Sequence, residues 1–238
     1  MTAIHPIAHD RHADARIRLP ADPSPLRFVR LGASELGAAS ADFPILLAKE
    51  AQTGRFNLIA LFSLAEPRNL YWQGGAWQAT YVPAAVRLAP FRLDDLGACG
   101  LAIDEAVLGS DGLPLFAPDG QPAELLRDAA TQLRGLVADM ATAQALVDRL
   151  AALKLVRPLA CRLRHADGHP HTLDGLFTVG TEALEGLEDG AIVDLHRCGG
   201  LAMTAVLRAS LSQLERLRRL HNASAETPIA GLTATIAD

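Results

Sequence analysis

The chain has 238 residues, half of them apolar, and a net charge of −5. That length supports one sizeable core or two small ones, and the acidic balance argues against general affinity for a phosphate backbone, which needs clustered Lys and Arg. Nucleic acid is not expected as a partner. No apolar run approaches the ~20 residues of a membrane span, and "MTAIHPIAHDRHADARIRLP" lacks the apolar core of a secretory signal. A soluble, cytoplasmic protein is expected, with the cell surface as the alternative location.

In chain order, residues 1–25 read as a flexible tail. Nine of the eleven aromatics fall between Phe28 and Phe91, so residues 26–118 read as the β-rich part. "FNLIALFSL" is apolar on both alternating faces, the pattern of an interior strand. "LYWQ", the pair Gly74–Gly75 and "AWQATYV" then spell a hairpin, and with the preceding strand a β-meander. Alternation along the last strand puts Trp77, Ala79 and Tyr81 on one face. Pro83 and Pro90 interrupt the chain on either side of "AAVRL". After Pro122 the period changes to that of helices. "PAELLRDAATQLRGLVADM" places Leu126, Leu133, Leu136 and Met140 on one stripe, and Thr142 is suited to cap a second helix carrying Leu146, Leu150 and Leu153. A short β-hairpin follows, turning at Asp167–Gly168 between "LACRLR" and "GLFTVG". Helical segments lie around "EALEGL" and "AIVDLH", and a last helix runs from about Leu201 to His221. Residues 223–238 read as a second tail. The predicted class is α+β, with a largely antiparallel sheet in the N-terminal half and helices plus a short β-hairpin in residues 122–222.

Three stretches carry a resemblance. They are "FPILLAKEAQTGRFNLIALFSLAEPRNLYWQGGAWQATYVPAAVRLAPF", "GLPLFAPDGQPAELLRDAATQL" and "GLFTVGTEALEGLEDGAIVDLHRCGGLAMTAVLRASLSQLERL". Together they span about residues 26–222, and the chain resembles the bacterial SapC family. The most specific part is Trp77, Tyr81 to Ala84, Arg87, Pro90 and Phe91. The resemblance implies a soluble protein without an established catalytic residue set, from a family associated with surface layers. Its members are often encoded near TonB-dependent receptors and flavin-dependent halogenase-like proteins. The expectation that follows is a non-enzymatic binding or accessory protein of a cell-envelope uptake or surface-layer system, recognising a peptide or protein. The alternative is an accessory subunit of, or partner to, a halogenase-like enzyme, or an enzyme of unrecognised type.

Motif by motif, the residues point the same way. Neither GxGxxG nor GxxxxGK[ST] occurs, and "GASELG" only imitates a nucleophile elbow. Cys99, Cys161 and Cys198 are too scattered for a disulfide framework or a zinc knuckle, and buried free thiols are the simpler reading. His169 and His171 in "GHPHT" are spaced as strand ligands, with His196 or Asp194 as a third donor, but a solvated hairpin tip explains them more simply. No catalytic residue, metal ligand or cofactor is assigned. The candidate site is the segment 69–93, which holds both tryptophans and both tyrosines. Trp72, Trp77, Tyr81, Arg87 and Arg92 combine flat apolar surface with fixed charge, the composition of interaction hot spots. The competing reading makes the rings a core cluster.

Overall fold

The computed structural model describes residues 4–19, 21–65, 68–225 and 227–237. The chain opens with β1 (Ile4–Pro6), α1 (His9–His12) and β2 (Arg16–Ile17), then forms β3 (Phe28–Arg30), α2 (Leu36–Ser40), β4 (Ile45–Lys49) and β5 (Phe56–Leu61). The hairpin β6 (Trp72–Gln73) and β7 (Ala76–Trp77) precedes α3 (Ala84–Arg87), β8 (Phe91–Leu93), β9 (Leu101–Asp104), β10 (Leu108–Gly109) and β11 (Leu113–Pro114). After α4 (Glu124–Ala152) come β12 (Val156–His165), β13 (Pro170–Leu173), β14 (Leu176–Val179), α5 (Thr181–Glu185), α6 (Asp189–Arg197), α7 (Gly200–Ala209), α8 (Gln213–Asn222) and β15 (Ile229–Ile236). Every strand pairing among the described residues is antiparallel. The fold is α+β, as the hairpin signals require.

The chain divides into two units, Met1–Pro23 with Pro83–Asp139, and Ser24–Val82 with Met140–Asp238. The first unit holds two three-stranded sheets, ordered β1-β9-β8 and β10-β2-β11. Its interior is formed by Ile7, Ile17, Val86, Phe91, Leu101, Ile103, Leu115 and Leu126. The second unit is built on a seven-stranded sheet ordered β13-β12-β14-β4-β5-β3, with β15 also on β12. A strand has two edges. β15 runs along Leu159 to His165, so β14 at Val156–Pro158 and β13 at Cys161–Arg164 lie end to end on the other side of β12. Helices α7 and α8 pack on this sheet, burying Met203, Leu207, Leu214 and Leu217. Ser210, 1% exposed, joins the α7–α8 break to β4. Its Oγ accepts from the Ile45 N–H at 3.0 Å and reaches the Ile45 and Leu207 carbonyls at 3.2 and 2.9 Å.

Several expectations change. The strands do not segregate by halves: β3, β4 and β5 share their sheet with β12 to β15, because Leu176–Phe177 pairs with Leu47–Ala48. The meander is absent, since β5 is flanked by β3 and β4 while β6 and β7 form a separate two-stranded ribbon. That ribbon ends at Trp77, so strand alternation does not carry its face on to Tyr81. The helical stretch of 124–152 is continuous rather than broken at Thr142, whose helix-forming neighbours outweigh its capping tendency. Neither tail is structureless: Ile4–Pro6 pairs with Ala102–Asp104, and Ile229–Ile236 lies along β12. "IAGLTATI" carries the β-branched residues of a strand, a signal that its Gly and Ala content weakens.

Candidate functional site

The predicted residues fall in both units, Trp72, Trp77 and Tyr81 in the second, Arg87 and Arg92 in the first. Gly74 and Gly75, with φ of 59° and 75°, turn the ribbon and set Trp72 directly opposite Trp77. All three rings are half-buried. Trp77 packs inward, its ring centroid 5.6 Å from Phe62, 6.1 Å from Phe43 and 6.3 Å from Tyr71. Its indole N–H donates to the Tyr81 carbonyl at 2.8 Å.

The floor of this cluster is polar and fully tied. Asp42, 2% exposed, receives the Arg216 guanidinium at 2.5 Å and the Tyr81 N–H at 2.8 Å, and its carbonyl accepts the Tyr71 hydroxyl at 2.8 Å. Arg216 also stands 5.7 Å from the Tyr71 ring centroid. Burial raises the Tyr71 pKa, the Arg216 charge opposing it and the Asp42 charge adding to it, so the hydroxyl remains a donor. The Tyr81 hydroxyl donates to Glu35 at 2.8 Å, and the other Glu35 oxygen accepts the Gly32 N–H. Trp77 and Tyr81 are thus held by a rigid base, while Trp72 is bound by no ring contact among the described residues.

In the first unit, Arg92 donates to the Ala89 and Phe91 carbonyls at 2.6 and 2.7 Å, and Arg87 lies at the surface. Arg87 lines a 380 Å³ cavity with Leu19, Leu88, Phe91 and the α4 residues Leu125 and Ala129. On another face Glu105 gathers Arg11 at 2.6 Å, the buried His12 at 3.1 Å and His5 at 3.9 Å. Desolvation would raise its pKa, but the His12 hydrogen bond and the Arg11 and His5 charges outweigh that and lower it.

A cavity of about 720 Å³ lies in the second unit and was not foreseen. Arg68, His165, His171 and His221 line it, with the hydroxyls of Ser63 and Thr227. The His165 ring is 6.5 Å from His171 and 6.3 Å from His221. His171 reaches it through the Asp167–Gly168 turn, which folds β13 back along β12. His165 sits at a register shift in the β12–β15 pairing, and His221 in the last turn of α8. Only the hairpin could have been read from sequence; residues 68 and 221 have no local signature. His169 and His171 do not converge with His196 or Asp194 as a metal set among the described residues. His169 is exposed beside the turn, Asp194 faces Arg149 at 3.7 Å, and no three His, Cys, Asp or Glu among the described residues could hold an ion. Of the three thiols Cys161 is buried, Cys99 partly so and Cys198 exposed, which corrects the expectation of buried cysteines.

The SapC family model matches residues 7–217, nearly nine-tenths of the chain. The protein belongs to the SapC family. No curated protein and no solved structure matches it. No helix of this SapC protein is long and apolar enough to cross a membrane, among the described residues.

Proposed function

We propose that this SapC protein is a binding or accessory protein that recognises a peptide or protein partner within a cell-envelope uptake or surface-layer system. The observation that carries the reading is the short glycine-turned ribbon that sets Trp72 opposite Trp77 in register, with both residues part-buried, Trp77 packed inward and Trp72 without a ring contact among the described residues. Tyr81 is bonded to the Glu35 and Asp42 carboxylates and its carbonyl accepts the Trp77 indole N–H, so the ribbon is fixed before a partner arrives, which reduces the ordering cost of association. Aromatic anchors on rigid supports are the common form of interaction hot spots. Family membership supports the envelope setting, and the reading puts the protein on the cytoplasmic side.

Affinity capture from the native cell, comparing the unaltered chain with Trp72→Ala, tests this. An envelope component or peptide recovered with the first and lost with the second is expected. Equal recovery by both, or no envelope component or peptide under conditions that preserve weak complexes, overturns it.

A further inference from the structure

The geometry points to a second site, an oxyanion-binding cavity in which Arg68, His165, His171 and His221 receive a carboxylate- or phosphate-bearing small molecule. Among the described lining residues four side chains carry N–H donors and one carries a carboxylate. Arg68 makes no hydrogen bond or ion pair among the described residues, and a guanidinium brings five N–H groups in a planar fork that matches an oxyanion. His165 and His171 each add an N–H, and His221, whose ring Nε2 already reaches the Thr227 carbonyl at 3.4 Å, stands beside them as a third imidazole. The cavity contains one described carboxylate, Asp167, and one of its oxygens already accepts the His169 N–H at 3.0 Å.

One lining residue carries an unmet hydrogen-bonding group: His165 Nδ1 is buried without a partner among the described residues. An unpaired buried polar atom is costly, and one beside the cavity marks a place where binding can rearrange the hydrogen bonding. The lining residues come from the loop after β5, the end of β12, β13 and the last turn of α8. Bringing basic groups from four such segments to one cavity is not a by-product of a single charged helix face.

Metal ligation is a poorer account. The flanking rings stand 6.3 and 6.5 Å from His165, and no three-residue donor set is present among the described residues. Anion binding needs no common coordination point. The charged and titratable groups facing His165 are His171 from β13, His221 from α8, Asp167 from the turn and Arg68 from the loop. Glu66 and Glu226, next to lining residues in sequence, lie outside the described residues.

The test is a titration of the full-length protein with inorganic phosphate and, separately, succinate, followed through the imidazole nitrogens by NMR at about pH 7. At least one probe should shift the His165, His171 and His221 signals saturably while His196, on α6, stays still. Response to phosphate alone assigns a phosphate ligand, and response to succinate alone a carboxylate. Arg68→Gln, a change at an exposed side chain, should weaken binding about tenfold or more, and His171→Gln should weaken it less. No saturable shift with either probe at millimolar concentration, shifts shared by His196, or affinity unchanged in Arg68→Gln each overturn the site.

Discussion

Asp42 is a buried charge whose partners come from three separate stretches of chain: the Arg216 side chain, the Tyr81 backbone N–H, and the Tyr71 hydroxyl on its carbonyl. Removing one partner leaves the carboxylate uncompensated, so Arg216→Ala should lower stability by about 3 kcal/mol in urea unfolding. Trp77→Ala should cost about 3 kcal/mol, because its ring packs against Phe43, Phe62 and Tyr71, whereas Trp72→Ala should cost less than about 1 kcal/mol. Glu215 behaves differently. The Arg218 hydrogen bond chiefly, then the Arg218 charge and Arg219, overcome desolvation and lower its pKa from 4.5 to about 2. A depressed carboxylate contributes stability that is fully present above its ordinary pKa and drains as pH falls through the folded value. The pair is solvent-screened, so Glu215→Gln should remove less than about 1 kcal/mol near neutrality and nothing below about pH 2. Among the thiols, burial raises Cys161 to about 11, so at about pH 8 iodoacetamide should modify Cys198 well before Cys161 in the folded protein.

At the scale of elements, the sharpest constraint is a close approach. A Cβ on Gly97 would stand 1.7 Å from the Leu101 carbonyl oxygen, at the turn into β9, so Gly97→Ala should lower the melting temperature by several degrees even though its φ of −85° suits any residue. Nothing in "LGACG" announces this, since close approach is a property of the neighbour. Legibility followed the range of the interaction. Gly74–Gly75 and Asp167–Gly168 turn the chain where the sequence puts the turns, and "FNLIAL" is an interior strand, because local conformation and alternation decide those features. The partners of that strand were not readable: alternation says that both faces are buried but not whether β3, β6 or β14 lies alongside. The candidate rings were legible as a cluster of aromatics. Their division into an inward Trp77 and an unsupported Trp72 depended on Phe43 and Arg216, far away in sequence. The cavity residues were least legible, since Arg68, His165, His171 and His221 meet only after strand pairing and helix packing.

At the scale of the whole molecule, neither half of the sequence holds the complete seven-stranded sheet of the second unit. Residues 1–121 expressed alone contain β3, β4 and β5 but lack β14, which pairs with β4, and lack α7 and α8, which cover the sheet. That fragment should show no cooperative melting by circular dichroism and poor amide dispersion by NMR, while the full chain shows both. The same interruption has a temporal side during synthesis. About 95 residues separate Leu61 from Val156, which at roughly 5–20 residues per second is about 5–20 s of translation. Through that interval the apolar strand Ile45–Lys49 has β5 on one side and an open edge on the other, the kind of surface that pairs with any available strand. For this SapC protein slower translation across that interval should lower the fraction of chains that reach the folded state.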